Sequence, residues 1–140
     1  MERTLVILKP EAITRKLVGF IISIYEKNNL KLVASKMLRP SEISMRSHYS
    51  DLVGRLSEET ISGIVTRMCR DNCIFMIFEG ENVIKRVRDL NGATDPAKAF
   101  PGTIRRYADS MSENLVHGSD SVENAEREIA IWFPELVNYQ

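Results

Sequence analysis

The sequence is poor in the side chains that staple a fold or ligate a structural metal. Its two cysteines, Cys69 and Cys73, stand four residues apart with no histidine or further thiol at metal-ligand spacing, so a zinc site would lack ligands. Reduced, structural thiols are expected, and no disulfide. Long apolar runs are missing as well. Stretches such as Cys73 to Phe78 are far too short to span a bilayer, and the start MERTLVILKPE has neither the basic region nor the extended apolar core of an export signal. A cytoplasmic protein is expected. Charge of one sign is also lacking: 19 basic and 19 acidic residues cancel. With aromatics at only 7%, this disfavours nucleic acid or an anionic membrane as partner, and any anion site must be local.

What is present suits one compact domain over residues 1–140. An apolar fraction of 44% and a charged fraction of 27% are ordinary for a globular chain, and no repeat, linker or low-complexity tract divides it. Thr4 to Leu8 is a nearly unbroken apolar run closed by Lys9-Pro10, which predicts a strand covered on both faces. Leu17, Phe20, Ile21 and Ile24 recur at helical spacing, with a stop at Lys27-Asn28-Asn29. Leu30 to Leu38 predicts a second strand beside the first. Helices are predicted over Ser44 to Tyr49 and Ser57 to Arg70, a third strand over Cys73 to Phe78, and a helix through Val83, Ile84, Val87 and Leu90 closed by Asn91-Gly92. Asn114 to His117 predicts a fourth strand. A last helix runs from Asp120 or Ser121 to Trp132 on a stripe of Val122, Ala125, Ile129 and Trp132, and Pro134 ends it. This order predicts an α+β sandwich of the split βαβ, ferredoxin-like kind, a four-stranded antiparallel sheet covered by helices. Residues 92–113 have neither periodicity, and connections this long are uncommon unless functional, so a binding loop is expected there.

Only two histidines occur, and one of them, His117, stands where a strand runs into Gly118-Ser119-Asp120-Ser121 and a helix start. A neutral imidazole near pH 7 can accept and pass on a phosphoryl group if its other nitrogen has a partner. Taken alone, such a histidine is more often a bystander in a capping cluster. At about 100° per residue, Glu128 falls on the flank of the apolar stripe of the last helix, where a carboxylate needs a partner. The imidazole N–H is one candidate, and solvent is equally compatible with the periodicity. The glycine and helix start offer backbone for an anion, or simply an N-cap with Asp120 and Glu123 at capping-box spacing. Lys9 ends the first strand. Arg88, Arg105 and Arg106 could clamp phosphate through bidentate guanidinium contacts, or be scattered surface charge.

The segment NLVHGSDS followed by AEREIAIWFPE resembles the active-site segment of the nucleoside diphosphate kinases. The resemblance covers nearly the whole chain, through ERTLVILKPEAITRKLVG, HYSDL and NGATDPAKAFPGTIR. It implies a ping-pong transfer of the γ-phosphoryl group from a nucleoside triphosphate to a nucleoside diphosphate through a phosphohistidine at His117. By the same resemblance Glu128 would orient the ring with Ser119 near it, and Lys9 and Tyr49 would help hold the transferred phosphate and the ribose. Asn114 would bind the sugar hydroxyl, and Arg88, Thr94 and Arg105 the phosphates. It also implies Mg2+ carried on the nucleotide phosphates, with Asp51 touching its waters, and a homo-oligomer. The segment VGRLSEETISGIVTRM departs from the family pattern: it is longer and lacks the usual base-stacking phenylalanine, leaving Thr60, Ile61 or Ile64 to form the wall. Arg106-Tyr107 replaces the usual Gly-Asp, and Lys16 a usual glycine. The competing reading is a catalytically silent nucleotide-binding scaffold of the same fold.

Overall fold

The structure, a computed structural model, describes residues 1–137. Among these, four strands form one antiparallel sheet in the order β2-β3-β1-β4, with β1 at Glu2–Leu8, β2 at Lys31–Leu38, β3 at Cys73–Gly80 and β4 at Val116–Gly118. The helices are α1 (Pro10–Thr14), α2 (Val18–Lys27), α3 (Glu42–His48), α4 (Glu58–Met68), α5 (Val83–Asn91), α6 (Val122–Trp132) and α7 (Pro134–Val137). This is the ferredoxin-like α+β sandwich. None of these helices is long and apolar enough to cross a membrane.

The unbroken apolar runs of β1 and β3 follow from having helices on both faces. Val6 and Leu8 with Ile74, Met76 and Phe78 face a core shared with Ile21 and Tyr25 of α2 and Val83 and Val87 of α5. Leu5 and Ile7 with Phe75 and Ile77 face the opposite core, built with Met45 of α3, Val65 of α4 and Trp132 of α6. Trp132 stacks on Phe75 with ring centroids 4.1 Å apart. Such alternation carries each successive side chain to the other face of a strand.

Three sequence expectations are corrected. β2 does not lie beside β1, because β3 separates them, β1 and β2 each pairing with it. A helix about 10 Å across, lying over a sheet with strands about 4.8 Å apart, spans two strand positions and leaves room for one strand between β1 and β2. The N-cap of α6 is Ser121, whose Oγ accepts the Asn124 N–H, rather than Asp120. Val122 is then solvent-facing, half exposed at the first helical position, and the buried stripe consists of Ala125, Glu128 and Trp132.

Lys16 takes φ +60°, the left-handed conformation that a glycine adopts more readily, and closes α1 with backbone bonds from Lys16 N to Ile13 O and from Leu17 N to Ala12 O. The 92–113 loop holds two short 3-10 turns, Pro96–Lys98 and Ile104–Tyr107, and starts at Gly92, φ +87°. A Cβ at Gly92 would sit 2.5 Å from Thr103 Oγ1, so glycine there lets the loop pack back on the end of α5.

Candidate active site

Ladder register aims the imidazole. His117 lies opposite Ile7 in the β1–β4 pairing, and directly opposed residues of an antiparallel pair project to the same face. Ile7 belongs to the α3–α6 core, so His117 is delivered to that side, at the end of the sheet where β1 stops just before Lys9. Glu128 reaches it from α6 and His48 from α3.

Glu128 is buried, and one of its oxygens, Oε1, lies 2.8 Å from His117 Nε2 and accepts from Ser119 Oγ at 2.8 Å. A carboxylate only accepts, so Nε2 carries the proton of the neutral ring and Nδ1 keeps its lone pair. Nδ1 has no protein partner among the described residues. Ser119 is fully buried behind the carboxylate and accepts the Leu5 N–H at 3.1 Å, which ties the relay to β1. Arg127 secures the other side. Its guanidinium donates to Ser47 O (2.8 Å), His48 O (3.0 Å) and Asp51 Oδ1 (3.3 Å), and stands 3.8 Å from Glu128 Oε2, so residues 47–51, Tyr49 included, are clamped to α6.

His48 was not singled out by the sequence, although it is the only other histidine. Its ring meets that of His117 edge to face, centroids 4.6 Å apart, and its Nδ1 accepts the Trp132 Nε1–H at 3.1 Å. Indole nitrogen can only donate, so the neutral His48 ring keeps its proton on Nε2, a buried atom without a partner. Ligand atoms of His48, His117 and Glu128 lie within 4.8 Å of one another, but a protonated Nε2 has no lone pair for a metal. Burial holds the His48 pKa well below the usual imidazole range, and the neighbouring His117, Arg127 and Lys9 act in the same direction.

The cleft in front of His117 has two lobes that share Tyr49, Thr94, Arg105 and His117. Arg88 and Asp51 line one; Lys9, Asn114, Thr60 and Ile64 line the other. Lys9 Nζ donates to Asn114 Oδ1 at 2.7 Å, and Asn114 Nδ2 donates to Thr94 O at 3.2 Å, so the strand end and the loop are joined at the cleft floor. Burial pushes the Lys9 pKa down to about 8, against the pull of nearby Glu11. Tyr49 is pushed up by burial and remains a neutral phenol. Arg105 is held by carbonyls rather than acids, Nη1 on Gly92 O (3.0 Å) and Nη2 on Val116 O (2.8 Å), and its buried Nε has no partner. Arg88 has no acidic group within ion-pair distance among the described residues. Lys9 and Arg105 are thus held by neutral oxygens rather than by acids, and cations held this way form a site for anions.

Of the site residues named from the sequence, Lys9, Tyr49, Asp51, Thr60, Ile64, Arg88, Thr94, Arg105, Asn114, His117 and Glu128 line the cleft, Ile61 and Arg106 do not, and Ser119 acts from behind Glu128. Arg106 does not join Arg105: it is exposed and outside both lobes. Gly118 lines the arginine lobe and is also needed for packing. A Cβ there would stand 3.0 Å from Asn91 Nδ2 and from Val87 Cγ1, so the glycine lets β4 pack on α5.

The nucleoside diphosphate kinase family profile matches residues 2–137. The chain belongs to the nucleoside diphosphate kinase family. It is 45% identical over 138 residues to the nucleoside diphosphate kinase of Caldanaerobacter subterraneus subsp. tengcongensis, covering 98% of this chain and 97% of that protein. It is 44% identical over 142 residues to nucleoside diphosphate kinase A 1 of Bos taurus, covering 99% of this chain and 91% of the relative. The crystal structure of the apo nucleoside diphosphate kinase from Encephalitozoon cuniculi superposes with a TM-score of 0.90 at 40% identity, over 95% of this chain and 89% of that one. Within this kinase fold the phenylalanine-free wall is resolved into distinct roles. Ile61 is buried in the core, Thr60 and Ile64 line the Lys9 lobe, and Leu56 and Met111, which sequence patterning had no means of marking, complete its apolar rim.

Proposed function

We propose that His117 is the phosphoryl carrier of this kinase and that Nδ1 is its nucleophilic atom. The observation that supports this reading is the relay Ser119–Glu128–His117, which occupies Nε2 and leaves Nδ1 free beside Lys9, Arg88 and Arg105. In the first half-reaction the Nδ1 lone pair forms the N–P bond as the bond from γ-phosphorus to the bridging oxygen breaks, and the nucleoside diphosphate leaves. In the second, a terminal β-phosphate oxygen of another nucleoside diphosphate attacks and frees the ring. Charge spreads over the moving phosphoryl oxygens, so fixed cations and in-line placement carry most of the catalysis. Arg88, Arg105 and Thr94 hold phosphates, Lys9 and Tyr49 sit at the transferred group and ribose, and Asn114 takes a sugar hydroxyl. Thr60 and Ile64 flank the base.

Mg2+ enters as part of the nucleotide substrate and neutralises phosphate charge. The donor set fits this arrangement, since His48 has no lone pair to offer and the Asp51 carboxylate faces the lobe of the arginines, where it would hold the ion's waters. The working protein is a single domain over 1–140, a homo-oligomer and cytoplasmic. The test is brief incubation with γ-labelled nucleoside triphosphate followed by acid and alkali treatment. Alkali-stable, acid-labile label that is absent from His117→Ala supports the carrier; tight nucleotide binding without label supports the silent scaffold instead.

A further inference from the structure

Leu115 is a fully buried, non-glycine residue at φ +77°, and the Val116 N–H donates across it to Asn114 O at 2.9 Å. That is a γ-turn of the positive-φ kind, rare and strained for an L residue. It stands between Asn114 and His117, the residues read above as sugar contact and carrier. Strained backbone persists only where surrounding groups over-determine it. Here both polar groups of Leu115 are engaged: its carbonyl accepts the Lys9 N–H at 2.9 Å, and its N–H donates to Glu11 Oε2 at 3.0 Å. Glu11 is itself buried, on the first turn of α1, with its other oxygen 3.5 Å from Arg70 Nη2. Arg70 in turn donates to Glu113 Oε1 at 2.7 Å, so one guanidinium spans the carboxylate and the loop entering the turn.

We propose that Glu11 is a positioning residue for phosphoryl transfer: its carboxylate, aligned by Arg70, holds the Leu115 γ-turn, and the turn sets Asn114 against Lys9 at the floor of the cleft. The inference rests on the reading of His117 as carrier. Without the acceptor, the Leu115 N–H is buried and unpaired, so the turn relaxes toward negative φ and swings Asn114 off Lys9. Glu11 lies in the floor of the Lys9 lobe and also favours the charged form of Lys9, but its positioning role is exerted through Leu115 and Asn114.

The experiment compares the full-length chain with Glu11→Gln, Glu11→Ala and Arg70→Ala, measuring single-turnover labelling of His117 at saturating triphosphate and the Leu115 amide proton by NMR. Wild type must label on His117; if it does not, the carrier reading fails, and the Leu115 amide shift still reports on the clamp. Labelling is measured well below the Lys9 pKa of about 8, so that loss of the Glu11 charge does not discharge Lys9. Glu11→Gln keeps an acceptor oxygen and is expected to stay within about threefold of wild type, whereas Glu11→Ala slows labelling about tenfold or more, since small misplacements at a reacting centre carry costs of this size. The Leu115 amide moves upfield in Glu11→Ala, and by less in Glu11→Gln, whose neutral oxygen is a weaker acceptor. A Glu11→Ala rate within threefold of wild type, or equal slowing in both Glu11 variants, overturns the proposal. Arg70 is half exposed, so Arg70→Ala tests the clamp even where Glu11→Ala does not fold: slowing by about threefold to tenfold is expected, and a wild-type rate with an unmoved Leu115 amide overturns it.

Discussion

Replacing Glu128 with glutamine changes charge and almost nothing in volume, which isolates the electrostatic half of the relay. The amide oxygen of the new side chain would still accept from His117 and Ser119, so ring orientation survives. What is lost is a full negative charge 2.8 Å from Nε2, at the moment when bond formation at Nδ1 turns the ring into an imidazolium. Hydrogen bonds to an ionised partner contribute about 1.5–3 kcal/mol and neutral ones about 0.5–1.5, a difference of about 1–2 kcal/mol. At about 1.4 kcal/mol per decade this is roughly a 5- to 30-fold slower phosphorylation of His117. Glu128→Ala removes the acceptor too, leaving the His117 and Ser119 donors unpaired in a site where Glu128 is 3% exposed, and both rate and stability should fall further. Rapid-quench single turnover with γ-labelled triphosphate measures the rate. Trp132 is the only tryptophan and reaches His117 through His48, so its fluorescence should follow the same step. A Glu128→Gln rate within twofold of wild type, or one as slow as Glu128→Ala, would refute the reasoning.

Three further outcomes follow from groups with displaced titrations or constrained backbone. If Lys9 holds phosphate as proposed it must be charged, and its pKa of about 8 in the free protein then predicts a fall of kcat/KM above that pH. Bound polyphosphate raises the pKa, so kcat declines at higher pH than kcat/KM, and coincident limbs would count against Lys9. His48 remains neutral in the fold while the unfolded chain protonates near 6.5, so below that pH the unfolded state binds the extra proton and stability drops, by up to about 1.4 kcal/mol per pH unit. Urea titrations from pH 7 to 5 should show a shallower loss in His48→Gln than in wild type. Gly92→Ala places a Cβ 2.5 Å from Thr103 Oγ1 at φ +87° and ψ −178°, where only glycine rests easily. Calorimetry should find it less stable by about 1–3 kcal/mol.

Much of the molecule was legible in sequence because its elements are amphipathic to a recognisable degree. The runs Thr4 to Leu8 and Cys73 to Phe78 could only be strands covered twice, and His-Gly-Ser-Asp with its distant companion motifs fixed the family and most of the cleft. Glu128 beside a core stripe marked a partner without naming it. Val122 misled because an N-terminal helical residue lies above the core edge even when its angle matches the stripe.

What the linear chain determined was thus the set of elements and the chemistry of individual side chains, both set by local periodicity and residue type. Only the tertiary structure decided that β3 separates β1 from β2, that Ile7 directs His117 toward α6, that Nε2 and not Nδ1 meets Glu128, and that His48 carries its proton on Nε2 because Nδ1 accepts from Trp132. Each depends on groups far apart in sequence, up to 114 residues in the Leu5–Ser119 bond. Strand register and burial bring such groups together, and neither is encoded within a short stretch.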